Sequence, residues 1–378
     1  MLIWCSLALT SVFLLVATLN VIASPRMTKS KNPKASKAAR KPFVSVLIPA
    51  RNEAHQIRAC VESLLASDYG DFEIIVGDDQ SSDGTGAEVA ALIDSRSLDT
   101  ASKLKLVTID KPPPQGWTGK ARTCHELAQQ ARGEVFIFCD ADVIASRTAI
   151  CGTVDVLGRY QADLVSALPQ QLGGSALVQA LVAIVTQFSI LISLPLLLVP
   201  RSKNAALATG NGQWMAWQTE AYRRIGGHEA VKDSRIEDVS LARLAKSQGC
   251  TLVVALAARD LTVRMYESLA AARLGFRKNL YALLGDSPVA ACVSGLLTLG
   301  LLFSPLWAFA DGQYAAGLAL LTLGLSLILM QRLAFRTPWA ALGGFPVGIA
   351  LAVVVLCESV FYSRCGDLVW KDRSLTVS

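Results

Sequence analysis

Residues 135–143 read VFIFCDADV. Five apolar residues make a run of strand length, and two aspartates one residue apart end it. A continuous run rich in β-branched and aromatic residues is a strand covered on both faces. Carboxylates at its end are costly unless something there uses them. Two upstream runs end in the same way. VSVLIP leads to Ala50, Arg51, Asn52 and Glu53, and EIIVG leads to Asp78 and Asp79. Between these runs the periodicity turns helical: NEAHQIRACVESLLAS sets Ile57, Cys60, Val61, Leu64 and Leu65 on one face. SSDGTGAEVAALID opens with capping residues, LKLVTID is a further strand, and GKARTCHELAQQA is a further helix. Strands alternating with helices predict an α/β fold with a mostly parallel, Rossmann-like sheet covered on both faces. In such sheets ligands bind beyond the carboxyl ends of the strands.

A lone Asp-x-Asp is common in turns. Three strands delivering acids to one rim ask for a cation. Hard divalent ions, Mg²⁺ or Mn²⁺, take oxygen ligands and share them with substrate phosphates. No Gly-x-x-x-x-Gly-Lys-Ser/Thr loop is present, and no Gly-x-Gly-x-x-Gly comes after the first strand. Two other readings fit an acidic strand end. One is an aspartate-nucleophile phosphatase, whose first aspartate attacks phosphorus. The other is a non-catalytic, membrane-bound nucleotide-binding scaffold.

The ordered set of residues 44–85, ARGEVFIFCDADV and RIEDVSLARLAKSQG resembles the family 2 glycosyltransferases with a GT-A fold. Within that family it is similar to the membrane-bound group acting on hopanoids and carotenoids; GWTGKARTCHELA, MYESLAAARLGFRKNLYALLG and WKDRS carry this likeness. The resemblance implies a role for each site residue. Pro49, Arg51 and Glu53 line the nucleotide base and ribose. Asp78 or Asp79, with Asp79 favoured, contacts the base. Lys120 lies near the ribose or phosphates. Asp142 binds the metal that grips the diphosphate, and Asp140 touches the ribose or sugar and the metal. Asp238, beside Glu237, is the general base of an inverting transfer to a lipid hydroxyl or carboxyl. First-turn acids also suit a helix dipole, so Glu237 and Asp238 have a purely structural reading as well. Processive relatives carry Gln/Arg-x-x-Arg-Trp; this chain has Arg273, Phe276, Arg277, Lys278 and Asn279 without the tryptophan, which implies transfer of one sugar. His125 stands where many relatives have Asn, and a packed helix histidine is its expected role.

The 378-residue chain is 52% hydrophobic, and its mean hydropathy of +0.41 exceeds that of a soluble enzyme. The excess sits at the ends. Residues 2–23 are an uncharged run of bilayer-spanning length. Arg26, Lys29, Lys31, Lys34, Lys37, Arg40 and Lys41 come next, without an acid among them. Positive charge after the apolar run places residue 25 onward in the cytosol. Residues 289–310, 314–330 and 340–362 are three more expected spans, with Arg332 and Arg336 in the second link. The expected organisation is a membrane helix at 1–24, a basic linker at 25–42, a cytosolic GT-A domain at 43–287, membrane helices at 288–363 and a tail at 364–378. Four spans put WKDRS outside, although the tail motif makes more sense near a cytosolic site.

Residues 176–200 are also uncharged and long enough to span. One crossing there would set Asp142 and Asp238 on opposite sides of the membrane. The segment is therefore expected to be interfacial or re-entrant, with Gln179, Ala183, Thr186, Ser189 and Ser193 as a polar stripe; the alternative is a buried core helix. Trp214 and Trp217 are expected at the acceptor entrance or the interface. Arg264, Arg277 and Lys278 are candidates for pyrophosphate or lipid headgroups. The nine cysteines lack Cys-x-x-Cys spacing, and three scattered histidines form no zinc signature. The expected partners are a nucleoside-diphosphate sugar, UDP by default, a lipid acceptor and the membrane, with no nucleic acid.

Overall fold

The computed structural model describes residues 1–27, 41–95 and 102–365, together with the backbone of the short strands Val369–Trp370 and Arg373–Ser374. The basic run from Lys29 to Arg40, and Lys371 and Asp372 of the tail motif, lie outside the described residues. The chain divides into two compact units. Pro25–Pro169 and Leu198–Val263 form a sheet unit. Met1–Ser24, Gln170–Leu197 and residues 264–365 form a helical, apolar unit. The division differs from the expected 43–287 domain because 170–197 and 264–287 pack with the apolar helices.

Seven strands build the main sheet: β1 Val44–Ala50, β2 Phe72–Asp78, β3 Leu104–Thr108, β4 Val135–Cys139, β5 Leu164–Leu168, β6 Trp214–Gln218 and β7 Leu252–Leu256. Their spatial order is β3-β2-β1-β4-β6-β5-β7. β1 pairs in parallel with β2 and β4, β2 with β3, and β5 with β7. Only β6 runs antiparallel to its neighbours. All residues of β4, β5 and β7 are buried, as continuous apolar strands require. Helices cover the faces. Ala54–Leu65 buries Ile57, Cys60, Val61 and Leu64, the face read from its periodicity. Gly119–Gln130 begins at Thr118, whose hydroxyl accepts from the Ala121 amide.

In the apolar unit, the helices Leu2–Ala23, Pro288–Ala310, Tyr314–Phe335 and Phe345–Cys365 are each long and apolar enough to cross a membrane. Helix Ala176–Ser193 also meets that measure. It differs from the others in burial: 56% of its apolar window is covered, against 11–33% in the other four. Its neighbours in the unit are Leu269–Leu283 and Phe345–Cys365, with Val178, Leu181 and Val182 packed on Tyr266, Phe276 and Val355. The polar stripe needs no water. Thr186, Ser189 and Ser193 hydroxyls donate to carbonyls four residues back. A π-turn at Ile184–Phe188 carries Gln187, buried, to Gln331. The Gln331 amide donates to Gln187 Oε1 at 2.8 Å and to Thr337 Oγ1 at 3.1 Å. These contacts make the segment a helix packed within its own apolar unit.

Asn20 supplies the other polar bracket. Fully buried, it donates to the carbonyls of Leu191 and Leu194 at 2.9 and 2.8 Å and accepts from the Leu196 amide at 2.9 Å. Those backbone groups end a helix where no water replaces the amide. Asn20→Leu is expected to lower stability in micelles by about 2–3 kcal/mol, because two carbonyls and an N–H are stranded. Leu15→Ala, on an exposed position, should change it by less than about 0.5 kcal/mol. Detergent-solubilised thermal unfolding measures both.

Candidate active site

Strand register brings the acids to one edge of the sheet unit. Parallel pairing sets Ala50 opposite Asp78, and Leu47 opposite Phe138. The carboxyl ends of β1, β2 and β4 therefore share one rim. Because β6 is antiparallel, its start faces the end of β4, with Cys139 opposite Trp214. The loop at 210–213 thus enters the same rim, and the Asp140 amide donates to the Gln213 carbonyl at 3.2 Å.

At this rim is a small cleft lined by Pro49, Lys120, Asp140, Gly212, Glu237 and Asp238. Lys120, one residue into its helix, stands across it. Its Nζ lies 2.8 Å from Asp140 Oδ1 and 3.1 Å from Glu237 Oε1. Burial works against the ammonium, but Asp140 and Glu237 outweigh it and hold Lys120 well above the ordinary lysine value. One cation therefore joins carboxylates 97 residues apart in sequence, from 140 to 237.

Asp238 comes directly after Glu237 at the start of helix Glu237–Ser247. The Gly212 amide donates to its Oδ2 at 2.7 Å and the Val239 amide to its Oδ1 at 2.8 Å. These bonds and Lys120 favour the charged form. Burial and the neighbouring Glu237 charge win, and push the carboxyl up to about 6. Gly210 permits this arrangement: a Cβ there would lie 2.3 Å from the Asp238 carbonyl oxygen. The far end of the helix is fixed by Lys246, buried, whose ammonium donates to the Val199 and Ser202 carbonyls.

Asp142 is the second acid of the pair at the end of β4. Burial, then the Asp140 and Glu53 charges, raise its carboxyl to about 7. Its Oδ1 is covered and has no hydrogen-bond partner among the described residues. A covered, unpartnered carboxylate oxygen is a donor of the kind a divalent ion takes. These residues fit such an ion. Among the described residues no group of three His, Cys, Asp or Glu forms a ready-made cage, so the remaining ligands would come from water or a bound phosphate.

At the β1 and β2 ends, Arg51 Nη1 donates to the Asp79 and Gln80 carbonyls at 2.8 and 3.2 Å. Asp78 Oδ1 accepts from the Ser81 amide at 3.1 Å, so its carboxylate closes the turn. Asp79 is buried, and its amide donates to the Ala50 carbonyl. Glu53 stands at the N-terminal boundary of helix Ala54–Leu65, and its amide donates to Thr85 Oγ1 at 2.8 Å. Pro49 lines the cleft.

The tryptophans are the clear correction. Trp214 and Trp217 are fully buried. They stand three apart on β6, so they point to opposite faces of a sheet covered on both sides. Trp214 Nε1 donates to Thr153 Oγ1 at 3.0 Å. Neither lines an entrance nor meets an interface. The residues of that motif that do reach the cleft are Gly212 and Met215. GNG before an apolar strand was the available signal, since glycines mark close backbone approach. His228 also lines the cleft, and sequence reading gave it no role. His125 packs its ring 5.2 Å from that of Trp117, as a helix histidine does. Arg277 and Lys278 lie on Leu269–Leu283 in the apolar unit, and the Arg277 guanidinium sits 3.9 Å over the Tyr362 ring.

Residues 45–175 match the model of glycosyl transferase family 2. Two curated relatives are similar over shorter stretches. The UDP-Glc:α-D-GlcNAc-diphosphoundecaprenol β-1,3-glucosyltransferase WfgD of Escherichia coli is 34% identical over 102 residues, 27% of this chain and 36% of that protein. The 4,4′-diaponeurosporenoate glycosyltransferase of Staphylococcus haemolyticus is 36% identical over 100 residues, 26% of this chain and 24% of that protein. The chain thus spans about a third and a quarter of their lengths. Among solved structures, the mannosyltransferase PcManGT of Pyrobaculum calidifontis, in complex with GDP-Man and Mn²⁺, superposes with a TM-score of 0.54. It is 18% identical, and the match covers 94% of this chain and 99% of that one. At that identity the likeness is one of fold, and the fold is GT-A. The family match also displaces the phosphatase reading.

The raised carboxyls have a consequence for stability. An unfolded aspartate titrates near 3.9. Folded values of about 6 and about 7 mean that the stability held by the neutral forms is whole below about pH 4 and is lost as pH rises through those values. Protein kept free of divalent cations should therefore lose Tm between about pH 4 and pH 7. Asp142→Asn should raise Tm at the alkaline end and flatten the upper part of the fall. Scanning fluorimetry across this range measures it.

Proposed function

We propose, for a chain whose residues 45–175 match the model of glycosyl transferase family 2, an inverting enzyme held in a membrane, moving one sugar from a nucleoside diphosphate to a lipid hydroxyl or carboxyl. The observation that carries this reading is Lys120 bonded at once to Asp140 and Glu237. It ties the acidic strand end to the candidate base across one cleft.

Asp238 takes the proton of the acceptor oxygen while that oxygen bonds to the anomeric carbon. The bond from that carbon to the diphosphate breaks on the opposite side, so the configuration inverts. A carboxyl poised at about 6 is ionised at neutral pH yet basic enough to accept a proton in the transition state. The Gly212 and Val239 amides aim it. Asp142 with Asp140 would hold Mg²⁺ or Mn²⁺, which when bound neutralises charge on the leaving diphosphate. Lys120 is in place to shift from the acids to a phosphate oxygen. Pro49, Arg51, Glu53 and Asp79 form the wall for base and ribose, and Asp78 shapes that wall through its turn.

A lipid acceptor is supported by the long apolar helices and by the two curated relatives, whose names specify a diphosphoundecaprenol-linked acceptor and a carotenoid acid. UDP is the working choice of nucleotide. Basic residues after the first helix support a cytosolic sheet unit.

Asp238→Asn should lower sugar transfer by about 10²- to 10⁴-fold while leaving nucleoside diphosphate binding in place. Wild-type rate should rise with pH through about 6 and then level, because the base works only ionised. Asp142→Ala should lose the cation-dependent part of diphosphate binding, read by calorimetry with Mn²⁺ and with EDTA. Mass spectrometry of lipid extracts from cells with and without Asp238→Asn supplies the product test, and an unchanged glycolipid profile would remove Asp238 as the base.

A further inference from the structure

His228 is a cleft residue whose chemistry the proposed reaction leaves unused. It is only 3% exposed, yet it lines the cleft together with Asp238, Glu237, Asp140 and Lys120. Its Nδ1 lies 2.8 Å from the Tyr222 hydroxyl. The same hydroxyl accepts the backbone N–H of His228 at 3.1 Å. Among the described residues the hydroxyl has no other acceptor for its own proton, so it donates to Nδ1. The imidazole then carries its proton on Nε2, a tautomer assigned from these partners. Burial pushes His228 down to about 3, so the ring is neutral.

The ring cannot easily turn. Phe138 packs against it with centroids 4.6 Å apart and planes at 62°. Gly227, at φ +53°, holds the backbone so close to Tyr222 that a Cβ would lie 2.5 Å from its ring. Nε2–H has no partner among the described residues, and with Nδ1 occupied it is the nitrogen left for the cleft. Nε2 is not among the covered atoms that lack a partner, so it keeps access to the cleft, where a ligand can supply an acceptor.

We propose that His228 Nε2–H donates a hydrogen bond to one hydroxyl oxygen of the donor sugar and so helps choose which sugar the enzyme accepts. This inference rests on the proposed reaction, since it is there that the sugar lies between Asp238 and the diphosphate. The choice of oxygen is a matter of charge. A diphosphate is met by Lys120 and the divalent ion, whereas a neutral N–H matches a neutral hydroxyl. A fixed donor that the bound sugar closes off from water penalises an epimer whose hydroxyl points elsewhere, because the N–H is then left unpaired.

Calorimetry on the full chain in micelles with Mn²⁺ tests this. UDP and GDP are titrated first, then UDP-Glc, UDP-Gal, UDP-GlcNAc and GDP-Man, and the wild type identifies its preferred pair. His228→Phe, which keeps the packing on Phe138, should leave the parent diphosphate within about twofold and weaken the preferred sugar nucleotide about tenfold. It should also narrow the preference among sugars. His228→Gln, which retains an N–H at the matching position, should recover most of the loss. If His228→Phe binds the sugar nucleotide as tightly as the wild type, or loses diphosphate and sugar nucleotide equally, the sugar contact is overturned. If wild-type protein binds no nucleoside diphosphate, the proposed function itself fails, a result distinct from either.

Discussion

Crowded carboxylates in a half-buried cleft repel one another, and a cation must sit among them. In the free protein that cation is Lys120. Its reach to both Asp140 and Glu237 depends on several separate features: a helix capped by Thr118, a strand ending at Cys139 and a helix beginning at Glu237. The arrangement also stores the electrostatic cost that a ligand relieves. Asp142 and Asp238 are both held above the ordinary aspartate range by burial and by neighbouring acids. On the proposed reaction, a divalent ion held with a diphosphate would bring positive charge to this rim and offer Lys120 new partners.

One antiparallel strand gives this rim its second side. A wholly parallel sheet would send the chain entering β6 to the opposite edge, away from the acids. Reversal of β6 brings 210–213 to the end of β4 instead. The backbone then does what side chains usually do: the Gly212 amide holds Asp238, and Gly210 lets the Asp238 carbonyl approach. Lys246 fixes the other end of the same helix without a carboxylate, using carbonyls alone. The candidate base is thus positioned mostly by main chain, which is less adaptable than side-chain contacts and suits a group that must meet one atom of an acceptor.

The apolar unit solves a different problem. Its helices bury few charges but several amides, and two of these tie distant segments together. Asn20 serves three backbone groups at the end of Ala176–Ser193, and Gln331 serves Gln187 and Thr337. In a water-poor interior such pairs fix which helix lies beside which, because a slipped register would strand them. The apolar residues themselves are too uniform along these helices to specify one arrangement.

Composition and periodicity alone determined the class of the sheet, the helix faces such as Ile57–Leu64, and the apolar spans. These depend on local repeats that every residue reports. The acids at three strand ends were legible for the same reason, since strand ends are local. What only the tertiary structure decided lay in long-range pairing. The sequence could not say that β6 runs backward, and so Trp214 and Trp217 read as surface groups while Gly210 and Gly212 passed without a role. Nor could it say that a π-turn and buried amides fold Ala176–Ser193 into a packed unit, or that Tyr222 orients His228 toward the cleft. Each of those depends on a partner distant in the chain or on the hand of a strand pairing, and neither leaves a period in the sequence to read.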